Sequence, residues 1–485
     1  MSQTDPSETP LYAARAPVFP RRVSGSFRTL KWWLMGMMLG IYYLTPWIRW
    51  DRGPTLPDQA VLLDLANRRF FFFMIEIWPH EFYFVAGLLI MAGLGLFLFT
   101  SALGRVWCGY ACPQTVWTDL YLLVERWIDG DRNAQLRLWQ QKWNLHKIAL
   151  RATKWSIWLL IGAGTGGAWV FYFTDAPTLL ANLLHGTAHP AAYLWIAILT
   201  ATTFIFGGFM REQICTYACP WPRIQAAMMD EDTITIAYRE WRGEPRGKHR
   251  KAEGASELGD CIDCMACVNV CPMGIDIRDG QQLECITCGL CIDACDAMMD
   301  KVGKPRGLIG YMALKDEPVE RAGAKPQHVW RHIFRPRTTL YFTLWSGIGI
   351  ALIVMLFLRP PFEFNVTPVR NPMYVLLSDG SIRNTYEVRL RNKQLKETTL
   401  EITMTGGEDH DFAEHSDDVE LVLEGQETNV VTVAPDETLT QRVYVTAPRG
   451  SDLADERRTD VRFWLRDVDG IDRVSADSVF NGKDN

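Results

Sequence analysis

Residues 261–272 read C-I-D-C-M-A-C-V-N-V-C-P, and residues 285–296 read C-I-T-C-G-L-C-I-D-A-C-D. Both carry the spacing C-x2-C-x2-C-x3-C, and thirteen residues separate Cys271 from Cys285. That spacing lets three thiolates wrap one iron–sulfur cluster while the fourth reaches across to a second. The expected ligation is therefore crossed. One [4Fe–4S] cluster takes Cys261, Cys264, Cys267 and Cys295, and the other takes Cys285, Cys288, Cys291 and Cys271. Zinc ribbons pair C-x2-C units far apart, unlike four cysteines within eleven residues, twice over.

The stretch resembles the two-cluster bacterial ferredoxins. Pro272 follows the fourth cysteine of the first half, as in their cysteine run, whereas Asp296 stands there in the second half. The resemblance covers about 40 of 485 residues, so the chain has room for several further domains. All twelve cysteines lie between Cys108 and Cys295. None is left over for structural disulfides, so the thiols read as metal ligands or redox groups on a reducing face. Aromatic residues make up 12% of the chain, with 19 Trp, which fits anchoring at a membrane interface.

Outward from the cysteines, five apolar stretches have membrane-spanning length, at 30–48, 82–103, 155–174, 191–210 and 339–358. Residues 1–29 form a polar, Pro-rich arm carrying Arg15, Arg21, Arg22 and Arg28, with no cleavable signal peptide expected. Basic residues decide the orientation. Segment 104–154 has eight basic against four acidic residues, 51–81 has three against five, and 175–190 has no Lys or Arg. The positive-inside rule then places the arm, 104–154 and 211–338 in the cytoplasm, and an odd number of spans sends the C-terminus outside.

The expected organisation is multi-domain. An arm (1–29) precedes a four-helix membrane region (30–210). Charged linkers and a two-cluster ferredoxin-like α+β module follow (211–338, core 255–300), then a fifth transmembrane helix (339–358) and a β domain (359–485). The last segment is acidic, with fifteen basic and twenty-five acidic residues, and alternates in short runs such as Y-E-V-R-L-R and D-V-R-F-W-L. Such runs predict an immunoglobulin-like β-sandwich without a cysteine pair, with a small barrel as the alternative.

A second cysteine pattern is repeated. R-V-W-C-G-Y-A-C-P carries Cys108 and Cys112, and E-Q-I-C-T-Y-A-C-P carries Cys215 and Cys219. The shared C-x-Y-A-C-P recurs after 107 residues, each time just after an apolar stretch. C-x3-C on a helical turn puts both sulfurs on one face, and two such pairs can supply four thiolates. Soft thiolates select Cu(I), zinc or an iron–sulfur centre over hard cations. A dithiol can equally cycle as a disulfide.

Taken together, the chain resembles the CcoG/FixG/RdxA family, accessory factors in assembly of the cbb-type haem–copper cytochrome c oxidase. The resemblance rests on five apolar stretches, two C-x-Y-A-C-P motifs, the two-cluster module and the terminal β domain. It implies a multi-pass protein of the bacterial inner membrane that reduces Cu(II) to Cu(I), with the terminal domain in the periplasm. The family's cluster ligands map onto the eight module cysteines, and its membrane-proximal pairs onto Cys108, Cys112, Cys215 and Cys219 as a copper site. It also implies a cytoplasmic electron donor, a copper transporter or chaperone, oxidase assembly factors and a possible homodimer as partners. Quinol-dehydrogenase-type membrane ferredoxins share C-x3-C-P but are usually built without the large external β domain.

Other candidates are weaker. Met35, Met37 and Met38 read as lipid-facing or core side chains before copper ligands. His80 sits as an interfacial anchor, and His146, His185 and His189 lack ligand spacing. No Rossmann, flavin or P-loop signature is present, so no nicotinamide or flavin site and no nucleic-acid partner is expected. Three functions follow as expectations: a cupric reductase, a quinol-oxidising membrane ferredoxin, and a non-enzymatic redox-sensing scaffold.

Overall fold

The structure is a computed structural model that describes residues 17–53, 56–247, 258–394, 396–406, 419–426, 428–435 and 437–483. Most of the expected arm, residues 248–257 of the basic linker and the His80 side chain lie outside it. The chain divides into two compact units, residues 1–50 with 59–352, and residues 51–58 with 353–485.

The first unit is built on helices at all five apolar stretches. They are α1 (Ser26–Leu44), α2 (Phe82–Leu103), α3 (Leu145–Val170), α4 (Pro190–Thr203, continuing as π-helix to Met210) and α5 (Pro336–Phe357). Among the described residues three are long and apolar enough to cross a membrane: Phe82–Leu103, Pro190–Met210 and Pro336–Phe357, with mean hydropathies of 2.3, 1.7 and 2.1. This corrects the five spans expected from sequence. The other two helices begin with cations: Arg28 and Lys31 on α1, and Lys147, Arg151 and Lys154 on α3. Four of those five cations form ion pairs inside the protein, and Lys147 Nζ donates to Trp139 O and Gln141 O. Arg28 and Lys31 meet Asp119 at 3.0 and 3.4 Å, and Lys154 meets Glu125 at 3.0 Å and Asp129 at 2.6 Å.

The helices alternate in direction. The backbone N–H groups of Phe27 and Arg28, at the start of α1, donate to the Asp293 carboxylate in the cysteine module at 3.3 and 2.8 Å. At its other end, Tyr42 Oη donates to Thr165 O of α3 at 2.8 Å. By contrast, α2 ends at the module, where the Arg105 N–H donates to Thr287 Oγ1 at 3.2 Å. Helices α3 and α4 run antiparallel and close, because Gly162 and Gly166 leave no side chain against Thr200 O and Ile196 O. Away from the module, in the segment noted above only for its charge balance, lies an antiparallel sheet of Val61–Asp64, Arg69–Phe72 and Ile75–Ile77. Leu63 N–H ties it to Tyr172 O at 2.7 Å.

The cysteine module is held by an antiparallel strand pair, Ile234–Tyr238 with Ile309–Ala313, that brackets both cysteine loops. Its helices, Ala266–Val270 and Leu290–Val302, carry the third and fourth cysteines of each half or lead into them. The two halves share a backbone. Asp263 and Met265 flank Cys264 with φ of 53° and 58°, and Thr287 and Gly289 flank Cys288 with φ of 55° and 75°. Left-handed non-glycine residues cost about 1–2 kcal/mol each. Three of four positions bear that cost, so turning the chain around the middle cysteine is structurally required.

The second unit is an antiparallel β-sandwich, as the alternating runs predict. One sheet orders Glu420–Leu423, Thr438–Ala447, Ile382–Asn392 and Phe362–Pro368, with Val375–Leu376 also pairing Ile382–Asn392. The other orders Val430–Val433, Thr398–Gly406, Thr459–Asp467 and Arg473–Phe480. Alternate residues such as Tyr386, Val388 and Leu390 face Leu400, Ile402, Phe463 and Leu465 in a closed core. Tyr386 packs edge-on to Phe463 and its hydroxyl donates to Val479 O at 3.0 Å, which satisfies the one polar atom it buries.

Candidate functional site

The eight module cysteines are free thiols, with Cys261, Cys267, Cys288 and Cys295 buried, Cys264 exposed, and Cys271, Cys285 and Cys291 between. Burial pushes the Cys295 thiol up to about 12, and Cys267, Cys264 and Cys261 add to it through their charge. Burial likewise raises Cys291, whose thiol neighbours are Cys288, Cys285, Cys271 and then Cys267. Each fourth cysteine thus lies among the three of the other half. A hollow lined by Cys271, Cys285, Cys288 and Cys291, with Cys267 of the other half at its wall, is otherwise apolar, with Met273, Ile286 and Leu290 among its lining. Four soft donors in dry surroundings fit a cluster and suit no hard cation.

The two C-x-Y-A-C-P motifs also meet. Burial raises the Cys215 thiol to about 12, with Cys112, Cys108 and Cys219 acting on it in the same direction and Arg105 opposing. Cys108 and Cys112 are raised by burial too, and both feel Cys219. Thiols from segments 107 residues apart therefore lie within electrostatic reach of one another. Among the described residues no three His, Cys, Asp or Glu form a tight single-ion site. The thiols are neighbours, not a closed four-ligand cage.

The motifs do not lie on one helical turn as the C-x3-C spacing predicts. Val106–Tyr110 is a short helix, and Cys112 is extended (φ −61°, ψ 129°) before the helix Pro113–Ile128. Cys219 repeats this (φ −79°, ψ 125°) after Ile214–Ala218. Proline clashes with a helical residue before it, so the C-P dipeptide breaks both helices at the second thiol. The Cys112 and Cys219 amides instead bond five residues back, to Trp107 O at 2.9 Å and Ile214 O at 2.8 Å.

The first motif docks on the second cysteine loop of the module. Cys108 packs with Val270, Ile286, Cys288, Leu290 and Ala294. A Cβ on Gly109 would stand 2.5 Å from Ile286 O and 3.1 Å from Cys288 Cα, so only glycine allows this approach. Tyr110 Oη donates to Cys288 O at 2.9 Å. The second motif has Thr216 at the glycine position, and Tyr217 is 66% exposed where Tyr110 is 6%. The repeat is asymmetric in structure, with one copy against the module and the other turned outward.

Polar residues that the cysteine pattern did not reveal complete the site. Cys108 Sγ donates to Gln225 Oε1 at 3.2 Å, and Gln225 Nε2 donates to Thr100 Oγ1 at 3.2 Å. Arg105, 2% exposed, binds Leu283 O through its guanidinium. Its charge favours the thiolate forms of Cys108, Cys215 and Cys285, so it serves both thiol groups at once. An arginine three residues before the first motif cysteine was the available signal. Met35 is buried and Met37 half-exposed, so they share no face, and His189 accepts from Ala191 N–H as a helix cap at 3.2 Å.

Family models match three parts of the chain. Residues 210–314 match a 4Fe-4S dicluster domain and residues 84–130, which hold Cys108 and Cys112, match a 4Fe-4S binding domain. Residues 352–483 match the Ig-like fold at the C-terminus of FixG. Protein RdxB of Cereibacter sphaeroides is 68% identical over the full length of both chains. The chain belongs to the FixG/RdxA family. RdxA of the same organism is 64% identical, covering 95% of this chain and 96% of that one. The nitrogen fixation protein FixG of Rhizobium meliloti is 54% identical, covering 91% and 88%. In this FixG/RdxA chain the dicluster and C-terminal matches coincide with the module and the sandwich, and the third match ends beyond the docked motif.

Proposed function

We propose that this chain is a membrane iron–sulfur electron-transfer protein that reduces Cu(II) to Cu(I) in support of cbb-type oxidase assembly. The observation that carries the reading is the seating of Cys108 and Gly109 directly on the Cys285–Cys291 loop. In this reading Cys261, Cys264, Cys267 and Cys295 hold one [4Fe–4S] cluster, and Cys285, Cys288, Cys291 and Cys271 the other. Clusters held there supply one-electron transfer. Copper is the substrate, and one electron converts Cu(II) to Cu(I).

The chain's own residues do the rest. Cys108, Cys112, Cys215 and Cys219 offer soft donors, which stabilise the Cu(I) product over Cu(II). Arg105 offsets the charge that builds up when those thiols ionise. Gln225 accepts from Cys108 Sγ and so orients it. Helices α1 and α3 carry the chain away from the module and α2 and α4 bring it back. In this reading the thiols and module lie on the cytoplasmic face and the sandwich in the periplasm. The reading is tested by Cys108→Ser with Cys215→Ser. Iron content and visible spectrum stay as in wild type while copper binding and reduction are lost. Cu(II) reduction at the wild-type rate would make these thiols structural.

A further inference from the structure

On the side of the module facing α1 lies a cavity of about 480 Å³, within the roughly 300–1,000 Å³ that small-molecule sites occupy. Its apolar wall comes from membrane-proximal helix ends: Leu30 and Leu34 at the start of α1, Leu103 at the end of α2, and Val106 just after it. Leu30 and Val329 at its edge are 47% and 53% exposed, and Trp330 and Phe334 beside it are 58% and 69% exposed. Such a rim suits lipid, not water.

The inner wall is aromatic and polar. Tyr110 and Tyr311 line it, and their hydroxyls donate to Cys288 O and Thr287 O at 2.9 and 2.8 Å. The cavity is thus one side chain away from the second cysteine loop. His332, 2% exposed, also lines it, with Nδ1 against Asp232 Oδ1 at 3.0 Å and Nε2 against Asp316 Oδ2 at 2.9 Å. Asp316 is 3% exposed, and among the described residues its Oδ1 has no hydrogen-bond partner. A buried carboxylate oxygen without a donor is destabilising, and a ligand hydroxyl would relieve it. An acyl chain would leave that wall unsatisfied.

From this we propose that the cavity binds the head group of a membrane-soluble quinol, its ring between Leu34 and the two tyrosines and a hydroxyl toward the His332–Asp316 pair. This rests on the electron-transfer reading and names the class of its donor, which then enters from the bilayer and not from the cytoplasm. The sum balances with the proposed substrate: one quinol and two Cu(II) give one quinone, two Cu(I) and two protons.

The test is binding, independent of copper. Purified full-length chain in lipid nanodiscs is photolabelled with an azido-ubiquinone, with decylubiquinol or phosphatidylglycerol as competitor. Labelling should saturate, map to residues 103–110 and 326–332, and yield to decylubiquinol but not to phosphatidylglycerol. Leu34→Trp, which fills the apolar wall, should weaken labelling at least tenfold with iron content unchanged. His332→Gln should do the same. Labelling that phosphatidylglycerol displaces equally, that maps elsewhere, or that Leu34→Trp leaves intact would overturn the site. Cys108→Ser with Cys215→Ser should label as wild type, so loss of the copper reading leaves this result standing.

Discussion

Replacing Gly109 by alanine tests whether the first thiol motif must sit against the module. The added Cβ would lie 2.5 Å from Ile286 O, 3.1 Å from Cys288 Cα and 3.2 Å from Cys288 N. All three are backbone atoms of a loop tied down at both ends by cysteines, so no flexible side chain can yield. Overpacking of this kind costs about 1–3 kcal/mol. The shift also strains the Tyr110–Cys288 hydrogen bond, worth about 1 kcal/mol. At about 1.4 kcal/mol per factor of ten, the equilibrium constant for docking should fall by roughly one and a half to three orders of magnitude. The assay is single-turnover Cu(II) reduction by anaerobic, pre-reduced protein, with iron content measured on the same sample. Gly109→Ala should slow reduction about tenfold or more at normal iron content. The matching control in the other motif, Thr216→Gly, should leave the rate unchanged, because that copy faces outward. A Gly109→Ala protein that reduces copper at the wild-type rate would refute the docking argument.

Crossed ligation predicts about eight iron per chain, falling toward about four in Cys264→Ser, as iron analysis would show; an unchanged count would remove Cys264 from the ligand set. Asp119 is fully enclosed, and although burial raises its pKa, Lys31 and Arg28 more than offset this and hold it below the usual range. A depressed carboxylate contributes stability above its unfolded pKa near 4 and loses it as pH falls through the folded value. Asp119→Asn should therefore lower the thermal midpoint at pH 7, by the equivalent of about 3–5 kcal/mol for a broken buried pair, and flatten its acid dependence. A periplasm-active reporter should be active when fused after Asn485 and silent after Lys251, and the reverse pattern would overturn the proposed orientation.

The module and sandwich were legible because their signals are local. Cysteine spacing within 261–295 and alternation in runs such as Ile382–Asn392 need no knowledge of distant residues. The thiol pairs were legible as a repeat, but their placement was not. What seats Cys108 is the absence of a side chain at Gly109 against a loop about 180 residues on, and no periodicity records that. The helical-turn reading failed at the C-P dipeptides, where proline decides the conformation of the residue before it. The apolar stretches of α1 and α3, taken alone, predict spans. Their charged first turns become intelligible only with Asp119, Glu125 and Asp129 in place as buried partners.

The central claim is that electrons stored in the module reach copper through this chain alone. Purified wild-type protein, reduced chemically and freed of reductant under anaerobic conditions, is mixed with Cu(II), and Cu(I) is followed with a specific chelator. Cu(I) should appear in proportion to the electrons held by the protein, about two per chain for two one-electron clusters, as the visible absorption of the oxidised module returns. Reoxidation of the module without Cu(I), or a module that stays reduced in the presence of Cu(II), would contradict the account.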